Sequence, residues 1–179
     1  MKLRMLTAFA LAVGVVAGGA AYGQQPPPAA APDLNAIPDK MPFNLPFGTP
    51  VSYEKAMAVI QAAIAEANKR GWPEDFAVVD PGSNLVAFAR MDGAQLASIS
   101  IAEHKARTAA RYRRPTVIFE NAVQKFGLNY ILSLDDVIAS RGGIPLVVDG
   151  KIIGAVGCSG GTGSQDEALC KAAIEAAGK

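Results

Sequence analysis

Apolar positions along this chain follow two regimes. From Met5 to Ala21 they run almost without interruption, broken only by Thr7 and by Gly14, Gly18 and Gly19. From Val51 onward they recur in short periodic groups separated by glycine, proline and charged residues. In the second regime Met57, Ile60, Ala63, Ile64 and Ala67 fall at helical spacing, which predicts a helix over 51–70. Ser52 is placed to cap it, Glu54 sits in the first turn, and Gly71 followed by Pro73 closes it. The short apolar runs 76–80 and 85–90 flank Pro81-Gly-Ser-Asn84, a loop with turn chemistry, and so predict a β-hairpin. Ser100 and Glu103 have capping-box spacing at the head of a helix that runs to about Arg113, before Pro115. A shorter helix is expected from 116 to 125, ended by Gly127. Residues 136–140 form a short apolar run that reads as a strand. The runs 144–148 and 152–158 pair across Asp149-Gly150, the favoured type I′ dipeptide. Ser164 and Glu167 present a second capping box, opening an Ala-rich helix to the C-terminus. Hairpin connections dominate, so the fold class is α/β of the α+β kind, with a mainly antiparallel sheet and helices packed on it.

The opening segment changes the picture of where this domain works. Lys2 and Arg4 precede the apolar run, and Ala21-Tyr22-Gly23 places small residues where a signal peptidase inspects. A bilayer span needs about 20 continuous apolar residues, and this run is shorter and rich in glycine. The expectation is a cleaved signal peptide over 1–23 and a periplasmic or secreted product without stable membrane insertion. Residues 24–50 hold eight of the twelve prolines and show almost no periodicity. They predict an extended spacer, with the more apolar segment 41–47 lying across the domain as a tethered arm. The remainder, 51–179, is the size of one domain. A net charge of +1 gives no sign of nucleic-acid binding.

Several segments then occur in a characteristic order: Ala77-Val-Val-Asp-Pro-Gly-Ser-Asn-Leu85, Arg90-Met-Asp-Gly-Ala94, Lys105-Ala-Arg-Thr-Ala-Ala110, Arg114-Pro-Thr116, Gly142-Gly-Ile-Pro145 and Gly157-Cys-Ser-Gly-Gly-Thr-Gly-Ser-Gln-Asp166. This series resembles the GlcG/HbpS family, also called DUF336, from about Val51 to the C-terminus. The resemblance implies a profilin-like fold with a five-stranded antiparallel sheet flanked by helices, and assembly into homo-oligomers. It also implies that some members bind haem or iron outside the cell, while others are accessory domains in small-molecule catabolism.

Candidate chemistry concentrates in three places. His104 is the only histidine. Helical spacing puts it on one polar face with Thr108 and Arg111, with Arg107 and Ser100 beside them and Ile99, Ala102, Ala106, Ala109 and Ala110 opposite. A neutral imidazole there could ligate haem iron, with Arg107, Arg111, Arg113 or Arg114 pairing with its propionates. The alternative is a solvated or subunit-facing helix surface. Some haem-sensing relatives use an acidic pair D/E-x-x-E at this point for iron, which makes Glu103 a second candidate ligand beside His104. Here Ser100 stands at the first position, and only Glu103 matches.

The loop Ser159, Gly160, Gly161, Thr162, Gly163 and Ser164 is the second place. Its glycines would let backbone N–H groups converge on an anion at the following helix N-terminus, or serve only a tight strand-to-helix turn. No lysine follows the last glycine, so it is not a Walker A loop. On that reading the protein is an accessory or degradative factor for a small carboxylate such as glycolate, without haem. The third place is Cys158 and Cys170, the only cysteines. An exported chain invites a disulfide between them, which requires Cα atoms within about 7 Å; two buried thiols are the alternative. Asp135 and Asp136 are adjacent and would point apart on a strand, and no Gly-x-Ser-x-Gly elbow is visible. Nothing in the sequence argues for catalysis.

Overall fold

The computed structural model describes residue 33 and residues 35–178. The signal peptide expected over 1–23 and the start of the spacer lie outside the described residues. No described helix is long and apolar enough to cross a membrane.

Helix α1 (Tyr53–Arg70) begins where the sequence places it. Ser52 Oγ accepts from the Lys55 amide at 3.2 Å, and Gly71 closes the helix at φ 66°, a left-handed conformation that glycine adopts without steric cost. Ala56, Val59, Ile60, Ala63 and Ala67 form its buried stripe. Strands β1 (Asp75–Val79) and β2 (Leu85–Arg90) make an antiparallel hairpin. The Asp80 carboxylate accepts the Asn84 backbone N–H across their turn. Helices α2 (Ser98–Arg111) and α3 (Val117–Phe126) follow, then a 3₁₀ turn over Asn129–Ser133. Strands β3 (Gly143–Val148) and β4 (Lys151–Ser159) pair through Asp149 and Gly150, both at positive φ. Helix α4 (Gly163–Ala177) completes the chain.

The sheet order is β2-β1-β4-β3, antiparallel throughout. It carries helices on both faces. Phe76, Val78, Val156 and Leu146 meet α1 and α4 on one side, while Ala77, Val79 and Ala155 meet the alanine stripe of α2 on the other. Strand β1 is therefore buried along its whole length, with each large apolar side chain contributing about 1.5–3 kcal/mol. Helix α2 lies directly on the sheet because position 157 is glycine: a Cβ there would run into the Ala102 carbonyl.

Three expectations are corrected. The sheet has four strands rather than five, because residues 136–140 are irregular loop. Asp136 stands at φ 55°, and the Thr108 hydroxyl, not a neighbouring strand, takes the Ile138 N–H. The Ser100/Glu103 capping box is absent: α2 starts three residues earlier, with Ala97 as its N-cap, and Ser100 Oγ donates to the Ala97 carbonyl instead. The box on α4 is built from Thr162 and Gln165 rather than Ser164 and Glu167. The proline-rich arm does reach the domain. The Phe47 backbone forms a parallel bridge with Ile152, the Ile152 N–H donates to Pro46 O at 2.9 Å, and the Gly48 N–H donates to Ile152 O at 2.8 Å. The arm thus runs beside β4 where β1 has ended.

Candidate functional site

Helix α2 carries the candidate residues Glu103, His104, Arg107 and Arg111, and the structure gathers the last three around one carboxylate. That carboxylate belongs to Asp136, on the loop after the 3₁₀ turn. Arg107 Nε lies 3.3 Å from Asp136 Oδ1, and Arg111 Nη1 lies 3.2 Å from Oδ2. His104 Nε2 stands 3.3 Å from Oδ1. Its geometry does not make a hydrogen bond, and the nitrogen is shut off from solvent. Glu103 reaches Arg107 from the preceding turn at 3.6 Å. Arg111 also donates to Ser83 Oγ in the β1–β2 turn.

The loop is fixed through its backbone. Thr108, fully buried rather than on the polar face expected for it, donates from Oγ1 to the Asp136 carbonyl at 2.9 Å and accepts the Ile138 N–H at 3.1 Å. Tyr112 donates its phenol O–H to the Asp135 carbonyl at 2.7 Å. Asp136 was visible in the sequence only as half of an unpromising acid pair. Its contacts with α2 cross about 30 residues of chain, and no local spacing signals them.

Arg114 is not brought to this cluster. Its guanidinium stacks 3.8 Å from the Phe43 ring of the arm and 5.4 Å from Phe119, and Nε donates to the Tyr112 carbonyl. Arg113 likewise serves the arm, donating to Leu45 O at 3.3 Å. Beside Arg114 is an apolar cavity of about 310 Å³ lined by Tyr112, Phe119, Tyr130, Ile131 and Leu134, among others. Of the lining residues, Tyr112 also holds the Asp135 carbonyl beside the polar cluster. Among the described residues, no three His, Cys, Asp or Glu side chains lie close enough together to hold a metal ion.

The glycine loop is already engaged by the chain's own side chains. The Gly161 N–H donates to Asp166 Oδ1 at 3.0 Å, and the Thr162 N–H donates to Gln165 Oε1 at 2.9 Å. The anion at the head of α4 is thus the Asp166 carboxylate. Beneath it Lys105, 1% exposed, pairs with Asp166, 2% exposed, and also donates to the Cys158 carbonyl. Glu74 lies fully buried close by, with neither carboxyl oxygen hydrogen-bonded. Burial, reinforced by the neighbouring Asp166 charge, pushes its pKa up to about 8. A protonated Glu74 leaves one carboxylate opposite one ammonium in this dry pocket. Asp75, next in sequence, is also buried and unpartnered, and burial raises its pKa. Cys158 and Cys170 form a disulfide, with Cα atoms 5.9 Å apart, which ties the end of β4 to α4 above this pocket.

Comparisons with known proteins bear on what these clusters do. A family model described as "Haem degrading protein HbpS-like" matches residues 51–175. Protein GlcG of Escherichia coli strain K12 is 42% identical over 109 residues, covering 61% of this chain and 81% of its own length. Among solved structures, Klebsiella pneumoniae protein ORFY superposes with TM-score 0.67 and 28% identity, over 80% of this chain and 97% of that one. The PduOC:heme complex superposes with TM-score 0.64 and 30% identity, over 72% of this chain and 95% of that one.

Proposed function

This chain belongs to the HbpS-like family, and we propose that it is an exported haem-binding protein whose ligand site is the His104–Arg107–Arg111 face of α2. One observation carries the reading: the single histidine and two arginines converge on one point of the domain. A haem site needs a nitrogen not committed to another bond and cations for the propionates. His104 Nε2 has no hydrogen-bond partner, and the two guanidinium groups flank it, so the residues fit the group. The apolar cavity edged by Tyr112 and Leu134 supplies apolar surface of the kind a porphyrin ring needs. The buried disulfide accords with an oxidising compartment. Exposed Leu85, Leu96, Leu132 and Val147 offer apolar surface for assembly into a homo-oligomer.

The reading that places a small carboxylate on the Ser159–Ser164 loop has less support, since two of its amides are taken by Asp166 and Gln165. Titration of the mature protein with hemin tests the proposal. A shifted Soret band is expected for the wild type and is expected to be lost or displaced in His104→Ala, with weaker binding in the Arg107→Ala/Arg111→Ala double variant. An unshifted spectrum in the wild type would sink it.

A further inference from the structure

The residues proposed to receive haem are not open. We infer that Asp136 is an internal stand-in for the ligand, capping His104 Nε2 and the Arg107–Arg111 pair, so that a ligand enters by displacing its carboxylate. The inference rests on the reading of this cluster as the ligand site and adds what regulates access to it.

Three observations support it. One carboxylate meets all three groups at 3.2–3.3 Å, so it stands both where the imidazole would meet a metal and where the arginines would meet a ligand carboxylate. The imidazole gains no proper hydrogen bond from this, since its Nε2 is buried yet unpartnered. Asp136 therefore covers that nitrogen rather than orienting it. The backbone at Asp136 is held in a left-handed conformation, φ 55°, by the Thr108 and Tyr112 hydrogen bonds to its own carbonyl and its neighbours. Asp is one of the few non-glycine residues that adopt this conformation, and the conformation aims its side chain at α2. Because the anchoring bonds involve only the backbone of the loop, rotating the side chain away leaves them intact. Displacement returns the anion to solvent while a ligand carboxylate takes over the arginines, so the charge balance of the face is preserved. A neutral ligand would strip the arginines of their partner and offer nothing in return.

Asp136→Asn and Asp136→Gly both tolerate the left-handed backbone and leave the Thr108 bonds in place. Because the chain has one histidine, the carbethoxyhistidine absorbance formed with diethyl pyrocarbonate reports on it alone, without any haem. Carbethoxylation is expected to be faster in Asp136→Gly than in the wild type by about tenfold, the factor by which a mostly capped population slows access. Hemin affinity is expected to rise in the same variant by a similar factor, with Asp136→Asn between the two. Equal carbethoxylation rates in all three proteins would overturn the inference, as would hemin affinity that falls in Asp136→Gly while the fold is retained. Faster carbethoxylation with no hemin binding in any of the proteins would support the cap and refute the haem reading, which separates the two failures.

Discussion

His104 and Lys105 are neighbours in sequence, yet α2 sends them to two aspartate-centred clusters of opposite character. Each cluster is an aspartate reached by cations from α2. Around Asp136 the partners are partly exposed, with Arg111 52% and Asp136 20% accessible. Around Asp166 both partners are buried to within a few per cent. Exposed pairs are worth little because water competes for each partner. A buried pair cannot be opened without stranding a charge. One aspartate is therefore exchangeable and the other structural. The surface cluster is where a ligand can compete, and the buried one is where the fold resists change.

The comparison can be broken first at Lys105. Lys105→Met strands Asp166, and a loss of about 3–5 kcal/mol is expected in denaturant unfolding, against no more than about 1 kcal/mol for Arg111→Ala. Comparable losses for the two would erase the distinction. Next in size is the disulfide, which closes a short loop (sequence separation 12). Cys158→Ala/Cys170→Ala is expected to cost about 3 kcal/mol, and reducing agent should produce a similar drop in the wild type. Glu74 sharpens the contrast further. Its folded pKa lies above its unfolded one, so its contribution is fully present below the ordinary Glu range and is lost as pH rises toward about 8. Stability should fall by about 2 kcal/mol across that window, after allowance for screening. Glu74→Gln should flatten the profile, as followed by thermal melts between pH 4 and 9. The smallest effect belongs to Asp136→Asn, expected to shift the unfolding free energy by less than about 1 kcal/mol while changing ligand access.

Much of the fold was legible because its signals are local. The Ser52 cap, the Gly71 stop and the Asp149-Gly150 turn each depend on residues within a few positions. The start of α2 was misplaced because it is set from outside the helix: Ser98 is buried against Ser159, their hydroxyls 3.1 Å apart, and this outweighs the box spacing of Ser100 and Glu103. The strand expected at 136–140 failed for a similar reason, since Thr108 takes the backbone groups a strand partner would need. At the site, helical periodicity located His104, Arg107 and Arg111 on one face. It could not show Asp136, nor that Lys105 is buried rather than solvated, because each depends on a partner far along the chain.

The stitching of the arm to β4 has a mechanical consequence. Tension applied through residues 35–45 would meet the hydrogen bonds between Pro46, Gly48 and Ile152, and the arginine–phenylalanine stacks, before it reached α1. A pull from that side would therefore be met first by these few contacts at the edge of β4, ahead of the sheet hydrogen bonds.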